Sequence, residues 1–210
     1  MHSYGQYCAL AKALDVLGGR WTLLIVRELL IRPCRYTDLR NGLPGIATNM
    51  LADRLRELED AGVIESEDAP APVATTLFRL TPWGRELEPI LKLLGSWGAP
   101  LLAAAGKGDH FRSHWLILPI GLYLQDSTPE GPPISIELRT GDEPLTIDIA
   151  QGRVQARLGA AEDPDLVLTG PPPATMGLLF GQLDWKAAQR AGLKSTGDLR
   201  SLHRIRPETP

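Results

Sequence analysis

From Gly45 to Glu65 the chain reads GIATNMLADRLRELEDAGVIE, with apolar residues at Leu51, Leu55 and Leu58, then Val63 and Ile64 beyond a glycine. That spacing predicts an amphipathic helix, with Thr48 as its N-cap and Gly62 as the C′ glycine. At 100° per residue the three leucines share one side, and Asn49, Ala52, Asp53 and Arg56 fall on the opposite arc. These are short or planar polar groups, whereas a face serving only solubility more often carries long Glu and Lys. The preceding stretches are also helical in period. CALAKALDVLG places Leu10, Ala13, Leu14 and Leu17 on one face and stops at Gly18-Gly19. RWTLLIVRELLI is almost wholly apolar, as a central helix would be, and ends at Pro33. CRYTDLRNGLPG predicts a short helix capped by Thr37.

Beyond the Gly45–Glu65 stretch, VIESEDAPAPVATTLFRLT predicts two short strands around a Pro/Ala-rich loop. A helix then opens with Thr81 as N-cap and Pro82 at its first position, and Pro89 predicts a kink or restart within it. The pattern changes near residue 106. PISIELRT, PLTIDIAQ, GRVQARLG and DLVLTGPP alternate with period two or form short apolar runs, predicting an antiparallel meander. Two helical pieces follow, PATMGLLFGQLD and WKAAQRAGL, and then STGDLRSLHRI. The expectation is an α+β chain of two domains, residues 1–106 and 107–210.

Composition narrows the function classes. A formal charge of -3 argues against indiscriminate binding to polyanions, though it leaves a local basic patch possible. No run of about 18 apolar residues is present to span a membrane, and the N-terminus lacks the form of a signal peptide. Cys8 and Cys34 are too few for a disulfide framework. His110 and His114 are four residues apart but have no third ligand near them in sequence. No catalytic set of residues stands out. A cytoplasmic protein with no metal, no cofactor and no enzymatic activity is expected.

Three helices followed by a hairpin is the plan of a winged helix-turn-helix, whose third helix presents its N-terminal side chains to base edges in the major groove. Asn pairs with adenine and Arg with guanine. Asp accepts from cytosine or steadies an arginine, and Ala lets the helix approach closely. Thr48, Asn49, Ala52, Asp53 and Arg56 are therefore the candidate base-reading residues. Arg32, Arg35, Thr37 and Arg40 are candidates for phosphate contacts that set register. In the hairpin, Thr75, Thr76 and Arg79 are candidates for a flanking contact.

YCALAKALDVLGGRWTLLIVRELL, RYTDLRNGLPGIATNMLADRLRELEDAGVIE and FRLTPWGRELEPILKLLGSWG, from about Tyr7 to Trp97 and in that order, resemble the HxlR-type winged-helix regulators of bacteria. The hairpin departs from that pattern, being richer in Pro and Ala and lacking a basic residue common there. The resemblance implies a homodimer joined through the first and last helices of the domain, near Cys8–Leu17 and Leu87–Leu102. Two reading helices would then meet a roughly palindromic double-stranded DNA operator. It also implies a possible redox or electrophile switch at Cys8, since some family members carry a sensing thiol there. DLVLTGPPPATMGLLFGQLDWKAAQRAGLKSTGDLRSLHRI resembles the sterol-carrier-protein-type fold over about Ile134–Ile205. That implies an apolar tunnel for a hydrophobic small molecule, with Met176, Leu179, Phe180, Leu183 and Trp185 as candidate lining. Together the resemblances imply a ligand-responsive transcriptional regulator, with repressor as the expected sign.

Overall fold

The computed structural model describes residues 3–68, 75–104, 106 and 108–207. The molecule is α+β, and the chain divides into two compact units, Met1–Lys107 and Gly108–Pro210.

The first unit runs α1 (Ala9–Leu17), α2 (Thr22–Ile31), β1 (Cys34–Arg35), α3 (Tyr36–Gly42) and α4 (Thr48–Asp60). It continues with β2 (Ile64–Asp68), β3 (Thr76–Leu80), α5 (Pro82–Arg85) and α6 (Glu88–Gly98), then a 3-10 turn over Ala99–Ala104. Its sheet has the order β1-β3-β2, all antiparallel, so β3 is shared between the hairpin and the strand that enters α3. Ile25 and Leu29 of α2, Leu39 of α3, Leu51, Leu55 and Leu58 of α4, and Ile64 and Leu80 of the hairpin form one buried core. The leucine stripe of α4 therefore faces inward.

Two expected caps lie one or two residues away from where the sequence put them. Arg35, not Thr37, precedes α3 in extended conformation, because β1 pairs with β3 at Cys34 and Arg35. The Arg35 amide donates to the Asp38 carboxylate at 3.0 Å. Ala47, not Thr48, caps α4, and Thr48 is already helical. Its carbonyl accepts from Tyr36 Oη at 2.7 Å, which ties the start of α4 to α3. At the other end Val63 N bonds to Leu58 O and Gly62 N to Glu59 O, with Gly62 at φ +74°. This is a Schellman closure, and it turns the chain directly into β2. Thr81 accepts from Gly84 N, as a cap ahead of Pro82 should. The helix then restarts at Glu88, with Pro89 in its first turn.

In the second unit a 3-10 turn (Ser113–Leu116) leads into α7 (Ile117–Tyr123) and β4 (Leu124–Asp126). Strands β5 (Ile134–Arg139), β6 (Leu145–Ala150), β7 (Arg153–Leu158) and β8 (Leu166–Thr169) follow. Then come α8 (Pro172–Leu179), α9 (Trp185–Arg190), β9 (Lys194–Gly197), a 3-10 turn (Leu199–Arg204) and β10 (Ile205–Pro207). The main sheet has the order β7-β6-β5-β8-β9. The expected meander covers only β5 to β7. The next strand, β8, returns parallel to β5. Asp165 holds that return, accepting Ser135 N on its carboxylate at 2.8 Å while its own amide donates to Ser135 O at 3.0 Å. Lys194–Gly197, just beyond the second expected helical piece, forms the antiparallel edge strand β9 on β8. A Cβ on Gly197 would lie 2.3 Å from Asp165 O, so only glycine permits that approach. Ile120, Ile136, Leu138, Leu145, Ile147, Leu166 and Leu168 are fully buried in the core of this unit.

Candidate nucleic-acid interface

Helix α4 carries two opposed faces. Its leucines are buried, while Thr48, Asn49, Asp53 and Arg56 are exposed and Ala52 is half-buried. A carboxylate oxygen of Asp53 lies 3.4 Å from Arg56 Nη1, so the acid steadies the arginine at i,i+3 without burying it. An exposed pair of this kind adds little stability. Its effect is to reduce the rotamers that the guanidinium explores. Arg32, Arg35, Thr37 and Arg40 are likewise exposed, grouped on and just before α3.

The hairpin is different. Arg79 Nε and Nη1 lie 2.9 and 3.0 Å from the carboxylates of Glu65 and Glu67, and Thr76 Oγ1 donates to Asp68 at 3.1 Å. Glu65, Glu67 and Asp68 outnumber the single Arg79 on these strands. The described part of the hairpin thus presents net negative charge, and two of its three candidate DNA-contacting side chains, Thr76 and Arg79, are engaged within it. Thr75 is half-buried just before β3, and the loop 69–74 lies outside the described residues.

The two cysteines differ in environment. Cys8 is exposed at the N-cap of α1. Cys34 is buried in β1, with its Sγ 3.3 Å from Arg32 O. Burial pushes its thiol up to about 12, so at neutral pH it is protonated and unreactive. The residues singled out as pocket lining all join the second core. Leu179 is buried, and Met176, Phe180, Leu183 and Trp185 pack against that core half-buried, with Phe180 edge-on to Tyr123 at 6.4 Å. No group of three or more His, Cys, Asp or Glu that could hold a metal occurs among the described residues. Nor is any helix among them long and apolar enough to cross a membrane.

Sequence reasoning did not find the Tyr36–Thr48 link. Nor did it find Arg54, which points from α4 toward the turn joining α1 to α2. Neither leaves a mark in the hydrophobic period, because each acts through a partner distant in sequence.

Residues 16–105 match the family described as HxlR-like helix-turn-helix. The chain is 34% identical over 98 residues to the HTH-type transcriptional regulator sll1512 of Synechocystis sp., covering 47% of this chain and 73% of that protein. It is 36% identical over 86 residues to YvaP of Bacillus subtilis, also named an HTH-type transcriptional regulator, covering 41% and 80%. The chain belongs to the HxlR-like family. It is thus a DNA-binding transcriptional regulator of the HxlR type. Residues 130–206 match the SCP-2 sterol transfer family, which places a second type of domain behind the HxlR-like one.

Proposed function

We propose that this HxlR-like regulator binds a roughly palindromic operator as a homodimer in the cytoplasm, acting as a repressor rather than as an enzyme. Helix α4 enters the major groove. Asn49, Ala52, Asp53 and Arg56 face bases with Thr48 at the helix start, and Arg35, Thr37 and Arg40 hold phosphates. The exposed polar arc of α4, backed by three buried leucines, carries this reading. Thr76 and Arg79 contribute little, given their partners within the hairpin.

The dimer reading rests on α6. Leu87 and Leu91 pack inward, while Ile90, Leu93, Leu94 and Trp97 are exposed on the same helix, and Leu101 and Leu102 continue the apolar surface. A helix apolar on so much of its circumference needs a second partner. Leu10 and Leu14 of α1 are exposed as well. A second copy of the chain fits a self-complementary apolar patch.

The second domain is the candidate sensor, taking a hydrophobic small molecule among Met176, Leu179, Phe180, Leu183 and Trp185. Such an effector acts by binding one arrangement of the two winged helices better than the other. A second reading places the switch at Cys8, which is exposed in a shallow recess lined by Tyr4, Gln6, Leu10, Ala11 and Leu14. There, oxidation or alkylation would alter α1 and with it the dimer. Cys8→Ser retaining an oxidant response would exclude that reading.

The decisive test selects an operator from a random duplex pool with the unmodified protein, then measures Asn49→Ala and Arg56→Ala on it. Each should lose about 1–3 kcal/mol of discrimination at one base position. Arg40→Ala should instead weaken all sequences alike and lower the salt slope by about 0.9. Retention of full discrimination by both α4 variants would refute the reading.

A further inference from the structure

Arg54 lies on the flank of α4, between the leucine stripe and the base-facing arc. Its guanidinium rests on Gly19, in the turn between α1 and α2. A Cβ on Gly19 would lie 2.9 Å from Arg54 Nη1, 3.0 Å from Arg54 Cζ and 2.9 Å from Thr22 Oγ1. The guanidinium therefore occupies the space that any other residue's side chain would fill. Glu57, one turn along α4, pairs with Arg54 and sets the direction of the side chain. Arg54 Nε and Thr22 Oγ1 are buried without a hydrogen-bond partner among the described residues. Buried polar groups are rarely left this way, and an apolar contact would serve packing alone at lower cost.

The same turn also approaches the segment that leads into α4. Trp21 adopts φ +79°, a left-handed conformation that bulky residues rarely take. This sets its indole near Gly45, three residues ahead of α4, where an added Cβ would stand 3.9 Å from Trp21 Cη2. Arg20 stacks on the indole, 5.4 Å from its centroid. One short turn thus bears on the lead-in to α4 through Trp21 and on its second turn through Arg54. A contact on the flank of a helix, together with one on its lead-in, resists rotation about the helix axis. Rotation is the motion that carries Asn49 and Arg56 off their bases, and recognition tolerates only about 10–20° of it.

We propose that Arg54 is a positioning residue for sequence reading. It fixes the rotation of α4 against the α1–α2 turn, and position 19 is glycine because the guanidinium needs its space. The proposal rests on α4 being the DNA-reading helix. Because α1 leads into that turn, the same contact makes α4 sensitive to displacements of α1.

The test compares the selected operator with a scrambled duplex of equal length, at temperatures well below each variant's melting point. Gly19→Ala displaces the guanidinium without changing charge or touching the base-facing arc. It should lower the operator-to-scrambled affinity ratio about tenfold with an unchanged salt slope. Arg54→Ala should do the same, and Arg54→Lys should not rescue, since a lysine lacks the planar group that lies on Gly19. Adding Gly19→Ala to Arg54→Ala should change the ratio by less than about twofold, because the remaining neighbour of the new methyl, Thr22 Oγ1, lies at the start of α2 and not on α4. Additive losses, or equal losses on both duplexes, would overturn the proposal. So would a salt slope reduced by about 0.9 in Arg54→Ala, which would mark a direct phosphate contact. If Asn49→Ala loses discrimination and Gly19→Ala does not, positioning by Arg54 is wrong and the reading helix stands. If neither loses it, both fall.

Discussion

Truncating Leu93 on the exposed face of α6 tests the proposed dimer directly. In one copy of the chain Leu93 is 71% exposed, and Trp97, one turn on, is 74% exposed. Burying a whole leucine side chain contributes about 1.5–3 kcal/mol. The exposed portion of Leu93, hidden by a second copy, contributes about 1–2 kcal/mol. In a two-fold symmetric interface each residue appears twice, so Leu93→Ala weakens the dimer by about 2–4 kcal/mol. That corresponds to a dissociation constant raised roughly 30-fold to 1000-fold. Folding of the single copy should be nearly unaffected, because Leu93 is not part of its core. Sedimentation velocity over a dilution series gives the dissociation constant, and circular dichroism confirms the fold. A half-dissociated sample should retain operator binding only in proportion to the dimer remaining, since a single copy engages only one half-site. Leu93→Ala and Trp97→Ala both dimerising as the unmodified chain does would refute the assignment of this surface. A chain that stays monomeric at high micromolar concentration would refute the dimer itself.

Three further outcomes follow from side-chain environments. Native protein treated with a thiol reagent at neutral pH should show one accessible thiol, Cys8, and a second only on unfolding, because Cys34 is buried with its thiol raised to about 12. In the second unit, hydrogen bonds from Arg204 hold the buried Asp126 carboxyl below the usual carboxylate range. A carboxyl with a depressed folded pKa adds stability that is complete above the unfolded value near 4 and is lost as pH falls through the folded one. Thermal melts should show that loss below about pH 4, and Asp126→Asn should melt about 10 °C or more lower at neutral pH, with a flatter acid limb. Arg79→Ala should leave operator affinity within about twofold in a binding titration, because Glu65 and Glu67 already hold that guanidinium.

Where neighbours in sequence are also neighbours in space, the chain's pattern was enough. The leucines of α4 at three-to-four spacing, the glycine that closes it and the Thr81-Pro82 start of α5 are all local features, set within one or two turns of helix. The candidate base-facing arc was legible for the same reason, since helical periodicity alone separates Asn49, Asp53 and Arg56 from Leu51, Leu55 and Leu58. The shifted caps were not legible. Arg35 is extended because β1 pairs with β3 some forty residues later, and nothing near Thr37 encodes that.

The second unit makes the same division. Alternating residues determined that its segments would be strands, but strand order depends on which edge each segment meets. The parallel return of β8 is held by Asp165 against Ser135, thirty positions apart, and β9 is seated by Gly197 against Asp165. The sequence by itself thus determined the helices of the first unit, strands β5 to β8 and the face of α4 that points outward. Only tertiary structure tied Arg79 to two glutamates of the hairpin, whereas Arg56 stays exposed with its i,i+3 neighbour Asp53. It also laid Arg54 across Gly19. The physical reason is range: dihedral preference and hydrophobic period act over a few residues, whereas a side chain's partner is whatever the fold brings within a few ångströms of it.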